Sequence, residues 1–317
     1  MFVHLHVHSP YSFLDGASTI ESLLARATLL GMRALALTDH NNVSAAVQFH
    51  RLAEKYQLQA IQGAEVTMED GSHLVLLAQN PQGYANLCRL LTAVHLHEQR
   101  LPWQMLERFT QSLICLSGCS QGLIPRLLLA HRYAEAERIA IRLREIFGPE
   151  RFFIELQNLL LPKNKMLNRL LAELAEKNHI PLVATNNVHF TTKEEFPLHD
   201  VLTCVRHKCQ LEAVNPHRRF NAENYLKSPE EMQELFREYP TALTNTLKIA
   251  DQCEPALKLG VDHLPKYGGA TEPIRLLRSL TYQGARRRYP KITSQIKERL
   301  EHELTIIHKL QVADYFL

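Results

Sequence analysis

The sequence predicts an α/β fold in which strands alternate with helices and close into a barrel. Its 317 residues are 45% hydrophobic and 22% charged, an ordinary composition for a globular protein with a sizeable core. Short apolar segments alternate with helical patterns over the first two-thirds of the chain, which is typical of βαβ crossovers and a mostly parallel sheet. The number of successive strands, seven along this stretch, favours a closed barrel over an open sheet.

The predicted strands are short apolar runs bounded by polar or turn-forming residues. The first, Phe2–Val7, alternates apolar side chains with histidines. The others are rich in Leu, Ile, Val, Phe and Ala, and they are Arg33–Leu37, Gln59–Ile61 leading into Gly63–Val66, His73–Ala78, Leu113–Leu116, Phe152–Leu156 and Leu182–Thr185.

The predicted helices lie between these strands and carry helix start and stop signals. In Ser18–Leu30, either Ser18 or Thr19 is the N-cap, Glu21 lies in the first turn, and Gly31 follows the last turn. Apolar residues recur at helical spacing in the remaining predicted helices, which are Val43–Tyr56, Tyr84–Val94, Gln121–Ala130, His131–Ile146 and Lys165–Lys177.

Charge and cysteine usage exclude several classes of protein. The net charge is only +3, so we do not expect the chain as a whole to bind nucleic acid through its overall charge. Its apolar runs are too short to span a bilayer, and we expect no membrane partner. The histidine-interrupted N-terminus is not a signal peptide, so the six cysteines are expected to be reduced thiols in the cytoplasm. Cys204 and Cys209 lack a second pair at zinc-ligand spacing and are interpreted as structural.

The pattern of the chain changes near residue 264. Leu264–Gly269 contains turn formers without periodicity and is predicted to be a linker. Pro273–Arg287 and Ile296–Leu310 are predicted amphipathic helices, and a basic cluster lies at Arg286–Arg288. We therefore expect one domain over residues 1–270 and a short helical segment over residues 271–317.

Histidine is over-represented, with 17 residues in the chain. Period-two geometry puts His4, His6 and His8 on one face of the first strand. Further candidate ligands lie near the other strands, and barrel strands bring such side chains to one mouth: Asp15, Asp39, His40, Glu65, His73, Cys119 and His189.

Imidazoles, carboxylates and one thiol suit Zn²⁺, Mn²⁺ or Fe. These ligands are too many for one tetrahedral ion, so we expect two or three divalent metals, with Glu65 as the bridging carboxylate. Such a cluster activates water and holds a phosphate during hydrolysis. Each residue alone has a simpler explanation, because a single strand histidine is more often half-buried, Cys119 is typical of a core thiol, and Asp39 could cap the next helix.

Several motifs in fixed order resemble the PHP (polymerase and histidinol phosphatase) domain of bacterial DNA polymerase III alpha subunits, in either the replicative or the error-prone form. They cover the whole chain: Phe2–Ser9, Tyr11–Ser12, Leu14–Gly16, Thr38–Asn41, Gly63–Glu65, His73–Ala78, Leu116–Cys119, Val183–His189, Tyr225–Met232, Arg299–Leu304 and Ala313–Leu317.

The resemblance implies a distorted (β/α)₇ barrel with a trinuclear metal centre, followed by a helical segment that opens the polymerase core. It also implies that the chain is an N-terminal fragment without the polymerase active site. By position, it implies that the metal ligands are His6, His8, Asp15, His40, Glu65, His73, Cys119 and His189. His4 and Asp39 lie beside the ligands, and Asp39 is a candidate positioning residue for a ligand imidazole.

One residue departs from the family pattern. The last family motif is Asp-Val-His, whereas this sequence has Asn187, Val188 and His189. An amide oxygen can coordinate a metal but brings no negative charge, so we expect a weakened site with reduced or altered hydrolysis. Only this position of the expected ligand set is changed, and we expect at least part of the centre to survive.

The resemblance leaves three functions open. The first is a metal-dependent phosphoesterase of the 3′–5′ exonuclease or pyrophosphatase type, with DNA and the rest of a polymerase chain as partners. Arg206 and Lys208 could then guide a phosphate backbone, although an ordinary solvated loop explains them slightly better. The second is a catalytically weak platform that docks a proofreading exonuclease subunit. The third, a free-standing phosphatase of the histidinol phosphate type, has no use for the helices after Leu264.

Overall fold

The computed structural model describes residues 1–212, 215, 217–261, 264–269 and 271–317. Their contacts divide the chain into two compact units, Met1–Lys258 and Leu259–Leu317. Unit 1 has the α/β fold that the sequence predicts, and unit 2 is helical. The sheet of unit 1 is curled and contains both parallel and antiparallel pairs.

The sheet of unit 1 contains six strands whose order in space is their order in the chain. They are β1 (Ala34–Leu37), β2 (Gln59–Thr67), β3 (His73–Ala78), β4 (Leu113–Leu116), β5 (Phe152–Gln157) and β6 (Leu182–Thr185). The pairs β1–β2, β4–β5 and β5–β6 are parallel, as predicted. The prediction is wrong for β3, which runs antiparallel to β2 and β4. Only residues 68–72 separate β2 from β3, too few for the crossover that a parallel pair needs.

Residues 2–8 lie between the first strand and the residues that follow the last one. The amides of Ala36 and Thr38 donate hydrogen bonds to the carbonyls of His4 and Val7, at 3.0 and 2.8 Å. On the other side, the amide of Val188 donates to the carbonyl of His6 at 2.9 Å. The prediction of a regular strand over Phe2–Val7 is wrong, because these residues form an isolated bridge between Val7 and Val188 and no continuous ladder. The segment nevertheless closes the curled sheet, because it is hydrogen-bonded on both sides.

The helices of unit 1 match most predicted positions within a few residues. In the first helix the hydroxyl of Thr19 accepts a hydrogen bond from the amide of Ser22 at 3.1 Å, and Gly31 beyond its end has φ +69°. The helices are α1 (Ile20–Leu29), α2 (Ala46–Lys55), α3 (Pro81–Leu96), α4 (Trp103–Arg108), α5 (Leu123–Leu129), α6 (Tyr133–Phe147), α7 (Asn164–Lys177), α8 (Phe196–His207), α9 (Pro229–Leu235) and α10 (Pro240–Asp251).

The concave side of the sheet is filled by apolar residues from every strand. This cluster includes Val75, Ile114, Phe153 and Val183, and Ile249 of α10 packs against them. The convex side packs against α3, α5, α6 and α7 through a larger cluster. With the interior filled in this way, polar side chains gather at one edge of the sheet.

Unit 2 contains α11 (Pro273–Arg288), α12 (Ser294–Lys309) and α13 (Ala313–Phe316). Leu277, Leu304 and Ala313 form its buried cluster. The hydroxyl of Tyr282 donates a hydrogen bond to Glu301 at 2.7 Å. Residues 264–269 have no regular secondary structure, which agrees with the predicted linker. Among the helices described, none is long and apolar enough to cross a membrane.

Candidate metal centre

The predicted ligand residues meet at one edge of the curled sheet. His6 and His8 come from the closing segment, His40 follows β1, Glu65 lies on β2, and Cys119 follows β4. The first residue of β3, His73, reaches the same edge because β3 is antiparallel: it is paired with Thr67, the last residue of β2. The β-hairpin that the sequence analysis missed therefore explains how a residue that opens its strand joins residues that end theirs.

Glu65 is at the middle of this group and is almost completely buried, with 1% of its surface exposed. Its Oε1 atom lies 3.0 Å from His73 Nδ1, 3.5 Å from Cys119 Sγ and 3.7 Å from His6 Nε2. Its Oε2 atom lies 2.8 Å from His40 Nδ1 and 3.5 Å from His8 Nε2. Each carboxylate oxygen thus faces a different set of donor atoms, which is the arrangement a bridging carboxylate requires.

Asp15 is the centre of a second group of imidazoles beside Glu65. Its Oδ2 atom lies 2.8 Å from His40 Nε2, so His40 joins the two carboxylates. Its Oδ1 atom lies 3.3 Å from both His189 Nδ1 and His199 Nε2. The imidazoles are also packed on one another, with the ring of His8 stacked between those of His40 and His189 at 4.3 and 4.4 Å.

The donor atoms fit divalent metals. Three groups have their ligand atoms within 4.8 Å of one another, namely His6 with His8 and Glu65, His40 with Glu65 and His73, and Asp15 with His189 and His199. Within the described chain, His6 Nε2 and His189 Nδ1 are buried and face carboxylate oxygens at 3.7 and 3.3 Å, but neither forms a hydrogen bond of regular geometry. A buried nitrogen without a partner is costly, and a cation would satisfy it. Histidine and carboxylate donors are those that Zn²⁺ and similar metals use.

Burial and neighbouring charges shift the pKa values of this group in opposite directions. Burial raises the pKa of Glu65, but His40 and His73 outweigh burial and hold that pKa well below its usual range. Burial lowers the pKa of His40, but Glu65 and Asp15 raise it to about 10. Burial likewise lowers the pKa of His6, and Glu155 with Glu65 raises it to about 9. Protons on these imidazoles therefore balance the buried carboxylates.

Cys119 is buried beside Glu65. Burial raises the pKa of its thiol well above the usual range, and the Glu65 carboxylate adds to this effect. The thiol is therefore neutral at physiological pH unless a metal compensates the charge of its thiolate.

Asn187 lies where the resemblance implies a carboxylate. Its Oδ1 atom is 3.1 Å from His8 Nε2 and 3.0 Å from His189 Nε2. Its φ of +44° falls in the left-handed region, which Asn and Asp adopt more readily than most residues. The backbone thus holds the amide oxygen among the imidazoles, where it lacks the negative charge of an aspartate.

Asp39 and His4 lie behind the group. Asp39 accepts a hydrogen bond from the hydroxyl of Ser12 at 2.6 Å, and Ser12 Oγ lies 3.0 Å from His8 Nδ1. A hydrogen-bonded path therefore runs from Asp39 through Ser12 to His8, and Asp39 does not cap α2, which begins at Ala46. His4 Nε2 lies 2.9 Å from the carbonyl of Lys227, away from Glu65.

Three residues of the site were missed by the sequence analysis. Glu155 of β5 lies 2.8 Å from His6 Nδ1 and leaves the other nitrogen of that ring facing Glu65. His199 of α8 faces Asp15. Arg219 places its guanidinium 2.7 Å from His189 Nε2. Glu155 lies inside the buried strand β5 and could have been noticed as a charge within an apolar run, but the other two have no distinctive local pattern.

The group opens into a cavity of about 290 Å³. Its lining includes Glu65 and His73 as well as Arg206 and Arg219. Arg206 also lies 3.2 Å from Asp15. Lys208, considered together with Arg206 in the sequence analysis, is not among the lining residues and ends helix α8 instead. The cavity therefore combines potential metal ligands with cationic side chains.

The sequence is similar to a family model and to several known proteins. Residues 4–159 match the family model of the PHP domain. Over its whole length, the chain is 50% identical to the error-prone DNA polymerase of Symbiobacterium thermophilum and 37% identical to the DNA polymerase III subunit alpha of Treponema pallidum. It spans 31% and 29% of the length of these two relatives. An amidohydrolase structure from Chromobacterium violaceum matches 60% of this chain and 88% of its own, with a TM-score of 0.41 and 16% identity. As its sequence motifs predict, the chain matches the PHP domain family over residues 4–159.

Proposed function

We propose that the chain is the PHP part of a polymerase of the DNA polymerase III alpha type and acts as a metal-dependent phosphoesterase on DNA 3′ ends or on pyrophosphate. The observation that carries this proposal is the convergence of four histidines and Cys119 on the buried carboxylate of Glu65. In this proposal residues 271–317 open the polymerase core, and the protein acts in the cytoplasm, where reduced thiols are usual.

The proposed ligands are those expected from the sequence, with His199 added by the structure. Two or three ions of Zn, Mn or Fe would be held by His6, His8, Asp15, His40, Glu65, His73, Cys119, His189 and His199. Such metals supply Lewis-acid polarisation of the phosphate and a water made acidic enough to attack it at neutral pH. Glu65 would hold metal through its two carboxylate oxygens, and Glu155 would fix the orientation of His6. Arg206 and Arg219 face the same cavity and would hold the negatively charged phosphate.

The direct test uses two substrates with and without added Mn²⁺ or Zn²⁺. Cleavage of a 3′-labelled DNA strand would assign the exonuclease type, and release of phosphate from pyrophosphate would assign the pyrophosphatase type. His8→Ala should abolish either activity, because His8 Nε2 faces both Glu65 and Asn187. Hydrolysis that persists in the variant, or that needs no metal, would contradict the proposal.

Metal binding should release protons. His6 and His40 have pKa values of about 9 and 10 in the metal-free chain, so both are protonated at pH 7, and each must lose its proton to bind a metal. We expect a release of at least about two protons per chain at pH 7 and an apparent affinity that rises from pH 7 to pH 10. Isothermal titration in two buffers of different ionisation enthalpy measures this number. An affinity that falls with pH over this range would exclude these histidines as ligands.

One observation favours the alternative of a catalytically weak platform for a proofreading exonuclease. Asn187 leaves the centre with one negative charge fewer than the family pattern gives. In the platform proposal the centre binds metal weakly, and the domain serves as a docking surface. Retained binding of the exonuclease by a variant that has lost all metal would support this alternative.

DNA is the proposed macromolecular partner, and unit 2 carries the charge for it. Residues 273–297 contain seven Lys and Arg residues and no Asp or Glu. Of these, Arg286, Arg287, Arg288 and Lys291 are exposed, and within the described chain none of the four forms an ion pair. Unpaired cations clustered in this way favour contacts with a phosphate backbone.

Replacing Arg286, Arg287 and Arg288 with Gln should weaken DNA binding at all sequences and make it less sensitive to salt. We expect the slope of log K against log salt to fall in magnitude by about 2–3, because three phosphate contacts are lost. Fluorescence anisotropy over a salt series measures the slope. Arg132, Arg138 and Arg142 of unit 1, which all pair with glutamates, give a control of the same charge change when replaced with Gln. Equal effects of the two triple variants would contradict a specific role for α11.

A further inference from the structure

Helix α8 ends in a Schellman motif whose two facing residues are both cysteines. Lys208 adopts the left-handed conformation at φ +52°. The amide of Cys209 donates to the carbonyl of Cys204 at 3.0 Å, and the amide of Lys208 donates to the carbonyl of Val205 at 3.3 Å. This pair of hydrogen bonds defines the motif, which commonly brings the side chains at the Cys204 and Cys209 positions into contact. The pairing therefore follows from the backbone of the helix end.

Cys209 is the accessible member of the pair and is surrounded by polar groups. It is half-buried, and its sulfur lies 3.8 Å from the carbonyl oxygen of Cys204 and accepts a hydrogen bond from the side-chain amide of Asn215 at 2.8 Å. The guanidinium of Arg218, held on Asp200 by a 2.7 Å bond, interacts electrostatically with both cysteines. These contacts hold the Cys209 sulfur beside Cys204.

Cys204 is the more buried of the two, with 5% of its surface exposed. Burial raises the pKa of its thiol, and the neighbouring Cys209 thiol raises that pKa further. The two cysteines therefore differ in the way that a reactive thiol and its resolving partner differ, with Cys209 accessible and Cys204 enclosed beside it.

We propose that Cys204 and Cys209 form an oxidisable dithiol, a modification site that a hydroperoxide such as hydrogen peroxide converts to a disulfide. The Cys209 thiolate attacks one peroxide oxygen, the O–O bond breaks, and the departing hydroxide takes up a proton to become water. The Cys204 thiol then attacks the sulfur of the resulting sulfenic acid, which forms the S–S bond and releases a second water. Overall, two thiols lose two hydrogen atoms and one peroxide becomes two waters.

The dithiol and the candidate metal centre are connected through α8, which contributes residues to both. The same helix carries His199 and Arg206, which face Asp15, and the disulfide would covalently close the end of that helix. The oxidation itself does not rest on the proposed hydrolysis, so failure of either proposal leaves the other standing.

The test treats the full chain with hydrogen peroxide and follows intact mass and disulfide-linked peptides. We expect the loss of two hydrogen atoms and a linked peptide joining Cys204 to Cys209. Cys204→Ser should leave a sulfenic acid on Cys209 that dimedone labels, whereas Cys209→Ser should leave Cys204 unlabelled. Cys88 is the internal comparison, because it is also half-buried but burial raises the pKa of its thiol.

We expect Cys209 to react at least about 10-fold faster than Cys88. Comparable rates at the two residues, a disulfide that joins other cysteines, or labelling that persists in Cys209→Ser would each overturn the proposal. Each Cys→Ser variant differs from the native chain by one atom at a helix end, so we expect it to fold. Circular dichroism before oxidation checks this, and it distinguishes a loss of reactivity from a loss of fold.

Discussion

Glu65→Gln is expected to abolish metal-dependent stabilisation of the chain. At metal concentrations about 100 times Kd, bound metal should raise the melting temperature of the native chain by about 5–10 °C. The substitution keeps the shape of the side chain but removes the charge that His40, His73, His6 and His8 share. We expect the metal-induced shift to disappear, because among the residues that the structure describes no other carboxylate contacts all four of these imidazoles.

The metal-free variant should itself be less stable at neutral pH. Glu65 has a pKa held well below its unfolded value, so it contributes stability that is present above the unfolded pKa and is lost as pH falls through the folded pKa. Loss of one partner from a buried ion pair costs on the order of 3–5 kcal/mol. The informative quantity is therefore the difference in melting temperature with and without metal.

The matched control for this experiment is Glu54→Gln, since Glu54 is an exposed glutamate of α2 beside His50. It should melt like the native chain and keep the whole metal-induced shift. A shift retained by Glu65→Gln would show that metal binds elsewhere.

Asn187→Asp is expected to raise both metal affinity and the rate of hydrolysis. The new carboxylate would lie among His8 and His189 at the distances that the amide oxygen now has, 3.1 and 3.0 Å. The backbone need not change, because Asp tolerates the φ of +44° that Asn187 adopts. One additional charged ligand should strengthen metal binding by at least about 10-fold. Metal titration together with the 3′-labelled DNA assay measures both quantities.

Two variants separate coordination from a general charge effect. Gln121→Glu adds one negative charge to a residue that also lines the cavity. It should change metal affinity little because, in the part of the chain that the structure describes, the Gln121 side chain forms no hydrogen bond with an imidazole and only its backbone amide contacts Cys119. Asn187→Ala removes the oxygen and should weaken binding. If Gln121→Glu raised affinity as much as Asn187→Asp, the charge of the cavity and not the ligand at residue 187 would be limiting.

Local patterns in the sequence were sufficient for most of the fold. The period and capping of Ser18–Leu30 located α1, and the apolar runs located β1 to β6. The direction of β3 was not predictable in the same way, since His73–Ala78 has the composition of a buried strand in either direction. The deciding feature is the short connection at residues 68–72, which permits a hairpin and no crossover. Helices α8 to α10 were missed because their apolar faces are interrupted by polar residues that are buried in the fold, such as His199 and Asn245.

The candidate site divides in the same way between local and long-range information. The predicted ligands that meet at Glu65 and Asp15 lie at strand ends or in the loops beside them, where position follows from the strand pattern. Glu155, His199 and Arg219 are brought in by packing between segments that are distant in the sequence, and Arg219 lies 30 residues from the His189 that it contacts. No local pattern encodes such a contact. The assignment of all these residues as ligands or positioning residues stays a proposal that the substitutions above test.

The metal centre is tested most directly by elemental analysis of the chain after purification and dialysis against Zn²⁺, Mn²⁺ or Fe²⁺. We expect at least two divalent metal ions per chain, because Glu65 and Asp15 are the centres of two separate groups of ligands that His40 connects. His8→Ala should reduce that number, and Glu65→Gln should reduce it further. Absence of stoichiometric metal from the native chain under all three conditions would contradict the metal centre and, with it, the proposed hydrolysis.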